Sequence, residues 1–139
     1  MADKQAVELL QRVPLFAGLD RRELEQLAGS MKERSFSPGQ EIAREGEGGV
    51  GFFVIRDGNA KVTVHGEERR RLGPGDYFGE IALIAQGART ATVTAESDLT
   101  ALGMTFWDFR PFVESNGQVA WKMLQVLAKR LRDAEQRTA

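Results

Sequence analysis

The chain has 139 residues, of which 42% are hydrophobic and 28% are charged, and its formal net charge is −1. This length fits one domain that buries a core without staples, and the small net charge excludes a global field that recruits nucleic acid or an anionic membrane. The absence of cysteine excludes disulfides, thiolate metal sites and cysteine catalysis. No signal peptide and no apolar run of about 20 residues is visible, so we expect a soluble, cytoplasmic protein.

The N-terminal part of the chain, residues 1–33, has a helical pattern. Its first apolar stripe ends at Pro14, which cannot continue a helix. Asp20, followed three residues later by Glu23, predicts the capping box of a second helix. The two stripes are Ala6, Val7, Leu9, Leu10 and Val13, then Leu24, Leu27, Ala28 and Met31.

Residues 34–104 change to short strands separated by glycine. Asp57-Gly58 predicts a hairpin, and the alternating run Ala60–Val64 follows it. Residues 65–68 are predicted to turn the chain, and residues 69–72 to pair back. Roughly eight short strands at this spacing predict a mainly β fold of the jelly-roll type, a double-stranded β-helix or β-roll with flanking helices.

Residues 105–137 return to a helical pattern. Five apolar residues of the final helix, predicted from Gln118 to about Arg137, are spaced alternately by four and three positions. They are Ala120, Leu124, Leu127, Leu131 and Ala134. This seam is typical either of packing against the protein's own β-roll or of a homodimer contact, and the two can coexist in different stretches.

The stretch 78–91 combines groups that suit one small ligand. Gly79 lets a ligand or another backbone approach closely, and the turn after it can direct free N–H groups at an anion. Arg89 adds a planar cation that matches phosphate oxygens two at a time. Glu80 repels a bare phosphate but accepts hydrogen bonds from hydroxyl groups. A nucleotide, with a phosphate beside a sugar hydroxyl, satisfies both side chains.

This stretch reads FGEIAL, a spacer IAQGA, then RTA, and it resembles the phosphate-binding cassette of the cyclic nucleotide-binding domain family. The resemblance extends from about Pro14 to about Arg132. It implies that Glu80 binds the ribose 2′-hydroxyl and Arg89 the cyclic phosphate. Gly79 and the backbone amides around Ile81, Ala82 and Thr90 would complete the site. The alternative is a structural Glu–Arg ion pair that closes a loop.

The resemblance also implies where the rest of the nucleotide lies. Val64 and Leu72 occupy positions of apolar walls beside the sugar and base, although either can equally belong to the core. A lid over the base is expected from the last helix, with Leu131, Ala134 and Arg130 as candidates. Thr90 is compatible with cGMP, and we expect cAMP because the chain resembles bacterial receptors.

The other function classes find little support in the residues. A cupin-type metal site needs several histidines, and His65 is the only one in the chain, so we expect neither a metal nor an enzyme. The run Arg69-Arg70-Arg71 follows two glutamates, which predicts a solvated surface rather than a nucleic-acid patch. Transcription factors of the resembled class carry a helix-turn-helix domain after the long helix, and the sequence ends at Ala139 without one.

We therefore expect a single cyclic nucleotide-binding domain over residues 1–139. The expected signal is ordering of the cassette and movement of the C-terminal helix, read by an effector whose identity the sequence does not give. No contact with nucleic acid or membrane is expected. Two alternatives stay open: the sensor part of a transcription regulator whose DNA-binding domain is absent from this chain, and a β-roll interaction module without a ligand.

Overall fold

A computed structural model describes residues 4–49, 51–85 and 87–138. It is mainly antiparallel β structure, preceded and followed in the chain by helices, which confirms the predicted fold class. The chain divides into two compact units, a β unit of Ser30–Phe109 and a helical unit of residues 4–29 and 110–138. Gln86 of the predicted cassette spacer and the terminal residues 1–3 and 139 lie outside this description.

The helices begin and end close to where the sequence predicts. They are α1 (Lys4–Gln11), α2 (Arg21–Ala28), α3 (Phe106–Glu114) and α4 (Gly117–Thr138), with a 3-10 turn at Pro14–Phe16. The predicted capping box is confirmed: the backbone N–H of Glu23 donates to Asp20 Oδ1 at 2.8 Å, and that of Asp20 donates to Glu23 Oε1 at 2.9 Å. Within residues 4–138, no helix that the structure describes is both long and apolar enough to cross a membrane.

One ion pair joins two helices of the helical unit. Lys122 Nζ on α4 lies 2.7 Å from Glu23 Oε1 on α2, and both side chains are partly buried. The hydrogen bond that Lys122 donates to Glu23 raises the pKa of Lys122 above its ordinary value, against the opposing effect of desolvation. Glu23 therefore fixes the start of α2 and also binds α4.

The β unit contains ten strands within the described residues. They are β1 (Lys32–Phe36), β2 (Glu41–Ala43), β3 (Gly48–Gly49), β4 (Gly51–Asp57), β5 (Ala60–Val64), β6 (Glu67–Leu72), β7 (Tyr77–Phe78), β8 (Gly87–Ala88), β9 (Thr92–Ala95) and β10 (Leu99–Thr105). Two four-stranded antiparallel sheets have the orders β1-β10-β4-β7 and β2-β9-β5-β6, and β3 pairs with β8. The core lies between the two large sheets and includes Ile55 and Leu99 from the first and Ala60 and Val93 from the second.

The turn between β5 and β6 is tighter than predicted. Strand β6 begins at Glu67 rather than at residue 69, because the turn needs only His65 and Gly66. Their φ angles are 52° and 81°, and two consecutive residues with positive φ form the turn that matches the twist of a hairpin. The prediction of a turn over residues 65–68 was wrong by two residues.

Candidate functional site

The stretch 78–91 is built around a left-handed glycine. Strand β7 ends at Phe78, Gly79 has φ 85° and ψ 11°, and a 3-10 turn over Glu80–Leu83 follows. A Cβ atom at position 79 would lie 2.4 Å from Gly51 O and 2.6 Å from Arg89 Nη1. Both the backbone conformation and the missing space therefore require glycine here. The same two distances show that the Arg89 guanidinium lies directly against this turn.

Arg89 is held in place by its backbone and by its side chain. Its N–H donates to Glu47 O at 2.8 Å, and its carbonyl accepts from Gly46 N at 2.9 Å. Its Nη2 donates to Gly51 O at 2.6 Å. Burial lowers the pKa of the Arg89 guanidinium, because desolvation disfavours the charged form. No carboxylate among the described residues pairs with it, so a bound anion would compensate this half-buried charge.

Glu80 is the second charged group of the turn. It is partly buried, and its side chain makes no hydrogen bond or ion pair with any described residue. The alternative of a structural Glu80–Arg89 ion pair is therefore not what the structure contains, since Arg89 donates to the Gly51 carbonyl instead. A partly buried carboxylate without a partner is free to accept hydrogen bonds from a ligand.

The backbone amides predicted to bind an anion differ in their hydrogen bonds. The N–H of Ala82 already donates to Gly79 O at 3.0 Å within the 3-10 turn. The N–H groups of Ile81 and Thr90 make no hydrogen bond to any other residue that the structure describes. Two of the three predicted donors are therefore available without rearrangement of the turn.

A cavity of about 450 Å³ lies at this turn. The residues predicted to bind phosphate and ribose all line it: Gly79, Glu80, Ile81, Ala82, Arg89 and Thr90. The structure thus brings these six residues to one space, together with Phe78 and the segment from Gly87 to Ala91. Arg89 beside the turn and a set of apolar side chains elsewhere in the cavity suit a ligand that has one anionic group and an apolar part.

The apolar side of the cavity is a row of side chains across one sheet. Ala43 pairs with Val93, Val93 with Val62, and Val62 with Arg70, and all four line the cavity. Directly paired residues of antiparallel strands share a face, so the row runs without interruption over β2, β9, β5 and β6. Sequence reasoning missed these residues, although the alternation of β5 already places Val62 on the same face as Val64.

The two residues predicted to form apolar walls lie elsewhere. Leu72 is 3% exposed and pairs with Ala60 in the core, and neither Leu72 nor Val64 is among the described residues that line the cavity. The candidate lid residues Leu131 and Ala134 lie on α4 in the helical unit, where Leu131 is 62% exposed. Their ligand roles stay predictions.

His65 and the acidic residues form no metal centre in the part of the chain that the structure describes. No group of three or more His, Cys, Asp or Glu side chains there could hold a metal ion. His65 Nδ1 instead lies 3.2 Å from Glu45 Oε2, and the His65 N–H donates to the same carboxylate at 2.9 Å. This contact joins the β5–β6 turn to the segment after β2.

Comparison with known proteins agrees with this geometry. The chain matches the cyclic nucleotide-binding domain family over residues 33–116, more than half of its length. It is 38% identical over 89 residues to a cGMP-dependent protein kinase of Toxoplasma gondii, covering 64% of this chain and 9% of the kinase. It is 28% identical over 130 residues to the CRP-like cAMP-activated global transcriptional regulator of Mycobacterium tuberculosis, covering 90% of this chain and 58% of the regulator.

A solved structure shows the same similarity in three dimensions. The N-terminal domain of a transcriptional regulator from Streptomyces coelicolor A3(2) has a TM-score of 0.86 and 31% identity, and the match covers 92% of this chain and 95% of that domain. The chain belongs to the cyclic nucleotide-binding domain family.

Proposed function

We propose that this chain is a receptor domain that binds a 3′,5′-cyclic purine nucleotide at the cavity beside residues 78–91. The observation that supports it is a half-buried Arg89 and a partly buried Glu80 that line one cavity, neither with a charged partner among the described residues. Arg89 binds the cyclic phosphate, and Glu80 accepts a hydrogen bond from the ribose 2′-hydroxyl. The domain binds its ligand and does not transform it.

The arginine can hold the protein and the ligand at the same time. A guanidinium has five N–H donors in a fixed plane, and the contact to Gly51 O uses a hydrogen of Nη2. The remaining donors can address phosphate oxygens, with the free amides of Ile81 and Thr90 on the same cavity. Because Gly51 opens β4 and Glu47 precedes β3, phosphate binding would also tighten the segment between β2 and β4 around the ligand.

The signal is proposed to follow from this tightening. Ligand binding orders the cassette, and α4 moves in response, so that an effector protein or domain distinguishes two states with different ligand affinity. Residues 1–139 are proposed to work as one domain in this process. Leu131 and Ala134 are the proposed lid, and cAMP as the expected ligand stays a prediction from the sequence.

A homodimer through α4 is a second proposal about partners. Of the predicted seam, Leu124 is 57% exposed and Leu131 is 62% exposed, and Trp121 on the same helix is 63% exposed. Positions 124 and 131 are one heptad apart, and position 121 precedes 124 by three, which places the three side chains along one side of the helix. An exposed apolar line of this length is the surface that a second copy of α4 would cover.

Titration calorimetry with cAMP, cGMP and 5′-AMP tests the binding proposal. We expect the wild type to bind a cyclic nucleotide, and Arg89→Ala to bind it about 10- to 100-fold more weakly, because a charge-assisted contact is lost. Arg69→Ala is the matched control, since Arg69 ion-pairs with Glu67 at 3.6 Å and is not one of the described cavity residues. Equal affinity of the wild type and Arg89→Ala would contradict the role given to Arg89.

A melting experiment tests the wider proposal. Ligand at 100 times its dissociation constant stabilises a fold by about 2.7 kcal/mol, which is an easily measured shift. If neither cyclic nucleotide shifts the melting temperature at millimolar concentration, the domain is an interaction module and the binding proposal is wrong.

A further inference from the structure

We propose that the β unit contains a second ligand site, in a pocket beside β1, for a small aromatic molecule that carries one carboxylate. This β1 pocket has a volume of about 240 Å³. The residues that define it are Lys32, Arg34, Phe36, Phe53, Gly103 and Asp108. None of the described residues that line the cavity at residues 78–91 lines the β1 pocket, so the two spaces are separate.

The floor of the β1 pocket is aromatic. Lys32 pairs with Gly103 and Gly103 pairs with Phe53, and directly paired residues share a face of the sheet. A Cβ atom at position 103 would lie 3.0 Å from Phe53 Cε1, and one at position 51 would lie 3.2 Å from Phe53 Cε2. The Phe53 ring therefore lies over two glycines, and Phe36 meets it edge-on with 6.0 Å between the ring centroids. Two such rings suit a planar apolar group.

Two cations at the β1 pocket have no partner among the described residues. Lys32 and Arg34 are two positions apart on β1, so they lie on one face of the sheet, about 7 Å apart along the strand. Both are exposed, and neither makes a hydrogen bond or ion pair with any residue that the structure describes. Glu33 between them has the opposite orientation in the strand, and its Oε2 lies 3.5 Å from Arg56 Nη1. The alternation of β1 therefore leaves both cations available to an anion in the pocket.

Asp108 limits the charge that a ligand can carry. Its carboxylate accepts a hydrogen bond from the Thr105 hydroxyl at 3.1 Å, and its N–H donates to the same hydroxyl oxygen at 3.3 Å. Two cations and one carboxylate give the charged side chains of the pocket a net charge of +1. One ligand carboxylate neutralises this charge, whereas a second would face Asp108. The Arg34 guanidinium can bind the carboxylate through two parallel N–H groups, and Lys32 adds a point charge.

The β1 pocket shares a wall with the cavity at residues 78–91. Gly51 lines the pocket, and its carbonyl accepts the hydrogen bond from Arg89 Nη2 at 2.6 Å. The Phe53 ring stacks on the Phe78 ring, with centroids 5.4 Å apart and 28° between the planes, and Phe78 lines the cavity. A ligand that packs on Phe53 and Gly51 therefore restrains the strand that holds Arg89, and it should strengthen nucleotide binding. This coupling rests on the proposed function, whereas the second site does not.

Three ligands that share one ring and differ in charge test the second site. Indole-3-acetate, neutral indole-3-acetamide and cationic tryptamine are titrated into the isotope-labelled protein, and binding is followed by NMR through the amide signals of Gly51, Gly103 and Thr105. We expect indole-3-acetate to bind about 10-fold more tightly than its amide, because the amide lacks the charge-assisted contact. Tryptamine should bind most weakly. Acetate, which has the charge without the ring, should bind more weakly than indole-3-acetate.

Matched variants locate the binding. Arg34→Gln should weaken the binding of indole-3-acetate about 10-fold and remove its advantage over the amide. Lys61→Gln is the control, because Lys61 on β5 also has no partner among the described residues and is not among those that line the pocket or the cavity. Arg89→Ala should still bind indole-3-acetate, which separates the β1 pocket from the cavity at residues 78–91.

Nucleotide titrations with saturating indole-3-acetate test the coupling. We expect the affinity of the wild type for a cyclic nucleotide to rise about 5-fold, and the nucleotide to strengthen the binding of indole-3-acetate by the same factor. Arg34→Gln at the same concentration should show a smaller rise. A nucleotide affinity that indole-3-acetate leaves unchanged in the wild type would overturn the coupling alone.

Three results would overturn the second site. They are the absence of any shift of the three amide signals at millimolar indole-3-acetate, equal affinities for indole-3-acetate and its amide, and a loss of binding in Arg89→Ala but not in Arg34→Gln. The last result would mean that the ligand occupies the cavity at residues 78–91. The proposed function survives all three, since it fails only if the wild type binds no cyclic nucleotide or if Arg89→Ala binds one as well as the wild type does.

Discussion

Charged side chains at the cavity of the β unit differ from a charged side chain that joins two helices of the helical unit. In the helical unit, Glu23 makes two sets of contacts, with the Asp20 backbone and with Lys122. In the β unit, Glu80 and Arg70 line the cavity without a partner among the described residues, and Arg89 donates only to a carbonyl. Charges that specify a fold are satisfied within it, whereas a binding site keeps charges that the ligand will satisfy. The unpartnered charges therefore indicate the candidate binding site independently of the comparison with related proteins.

The largest expected effect comes from the backbone that positions those unpartnered groups. We expect Gly79→Ala to destabilise the protein by about 3 kcal/mol or more, since a left-handed residue and a steric collision are combined. The added Cβ would meet Gly51 O at 2.4 Å and Arg89 Nη1 at 2.6 Å. The measurement is the free energy of unfolding in urea, followed by nucleotide titration of any protein that folds.

Gly66→Ala is the matched control for this variant. Gly66 has nearly the same φ, 81° against 85°, but nothing lies within 4 Å of its added Cβ. Gly66→Ala should therefore lower the free energy of unfolding only through its left-handed backbone, by about 1 kcal/mol. Its nucleotide affinity should not change. Equal losses in the two variants would show that the turn yields to the methyl group and that the packing of Arg89 against Gly79 is not tight.

Smaller effects are expected for Glu80 and Glu23, where one substitution should change nucleotide affinity and the other should change protein stability. Glu80→Gln should leave the stability of the free protein unchanged, because Glu80 has no partner among the described residues, and should weaken the binding of a cyclic ribonucleotide about 10-fold. Glu23→Gln should do the reverse, lowering stability through the loss of the Lys122 ion pair and leaving the affinity unchanged. Urea unfolding and calorimetry on both variants measure the contrast.

The 2′-deoxy analogue of the nucleotide sharpens the test of Glu80. Without the 2′-hydroxyl, the ligand donates no hydrogen bond to the Glu80 carboxylate, so the wild type and Glu80→Gln should bind the analogue equally. If Glu80→Gln weakens both ligands by the same factor, Glu80 acts on the shape of the turn and not on the sugar.

The parts of the site that the sequence predicted are those set by local chemistry. The cassette residues from Gly79 to Ala82 and Arg89 line the cavity as expected, because a glycine turn and a short helical turn depend on near neighbours in the chain. The capping box of Asp20 was predictable for the same reason. Such features need only a few consecutive residues.

The parts that were not predicted depend on register between strands. Val62 rather than Val64 lines the cavity, and Leu72 lies in the core. The pairing of β5 with β6 determines which cross-strand pairs lie at the cavity and which lie in the core. The Arg70 position depends on a one-residue bulge, and a bulge changes which residues oppose each other. The contact from Arg89 to Gly51 joins residues that are 38 positions apart, and no local pattern reports a contact of that kind.

The smallest expected effect concerns Lys122, whose charge is paired with Glu23 within the helical unit. Because the hydrogen bond that Lys122 donates to Glu23 raises the pKa of Lys122 in the folded protein, this ion pair stabilises the fold at every pH below the ordinary lysine value of about 10.4. That contribution is lost as the pH rises through the raised pKa. Lys122→Met should therefore lower the melting temperature slightly between pH 7 and 9, and its difference from the wild type should shrink above about pH 10.5.

Arg21→Met, which removes an exposed ion pair with Glu25, should give a small difference that does not change over this range, since arginine keeps its charge. A Lys122→Met difference that stays constant to pH 11 would mean that the lysine stabilises α4 by packing of its methylene groups rather than by its charge.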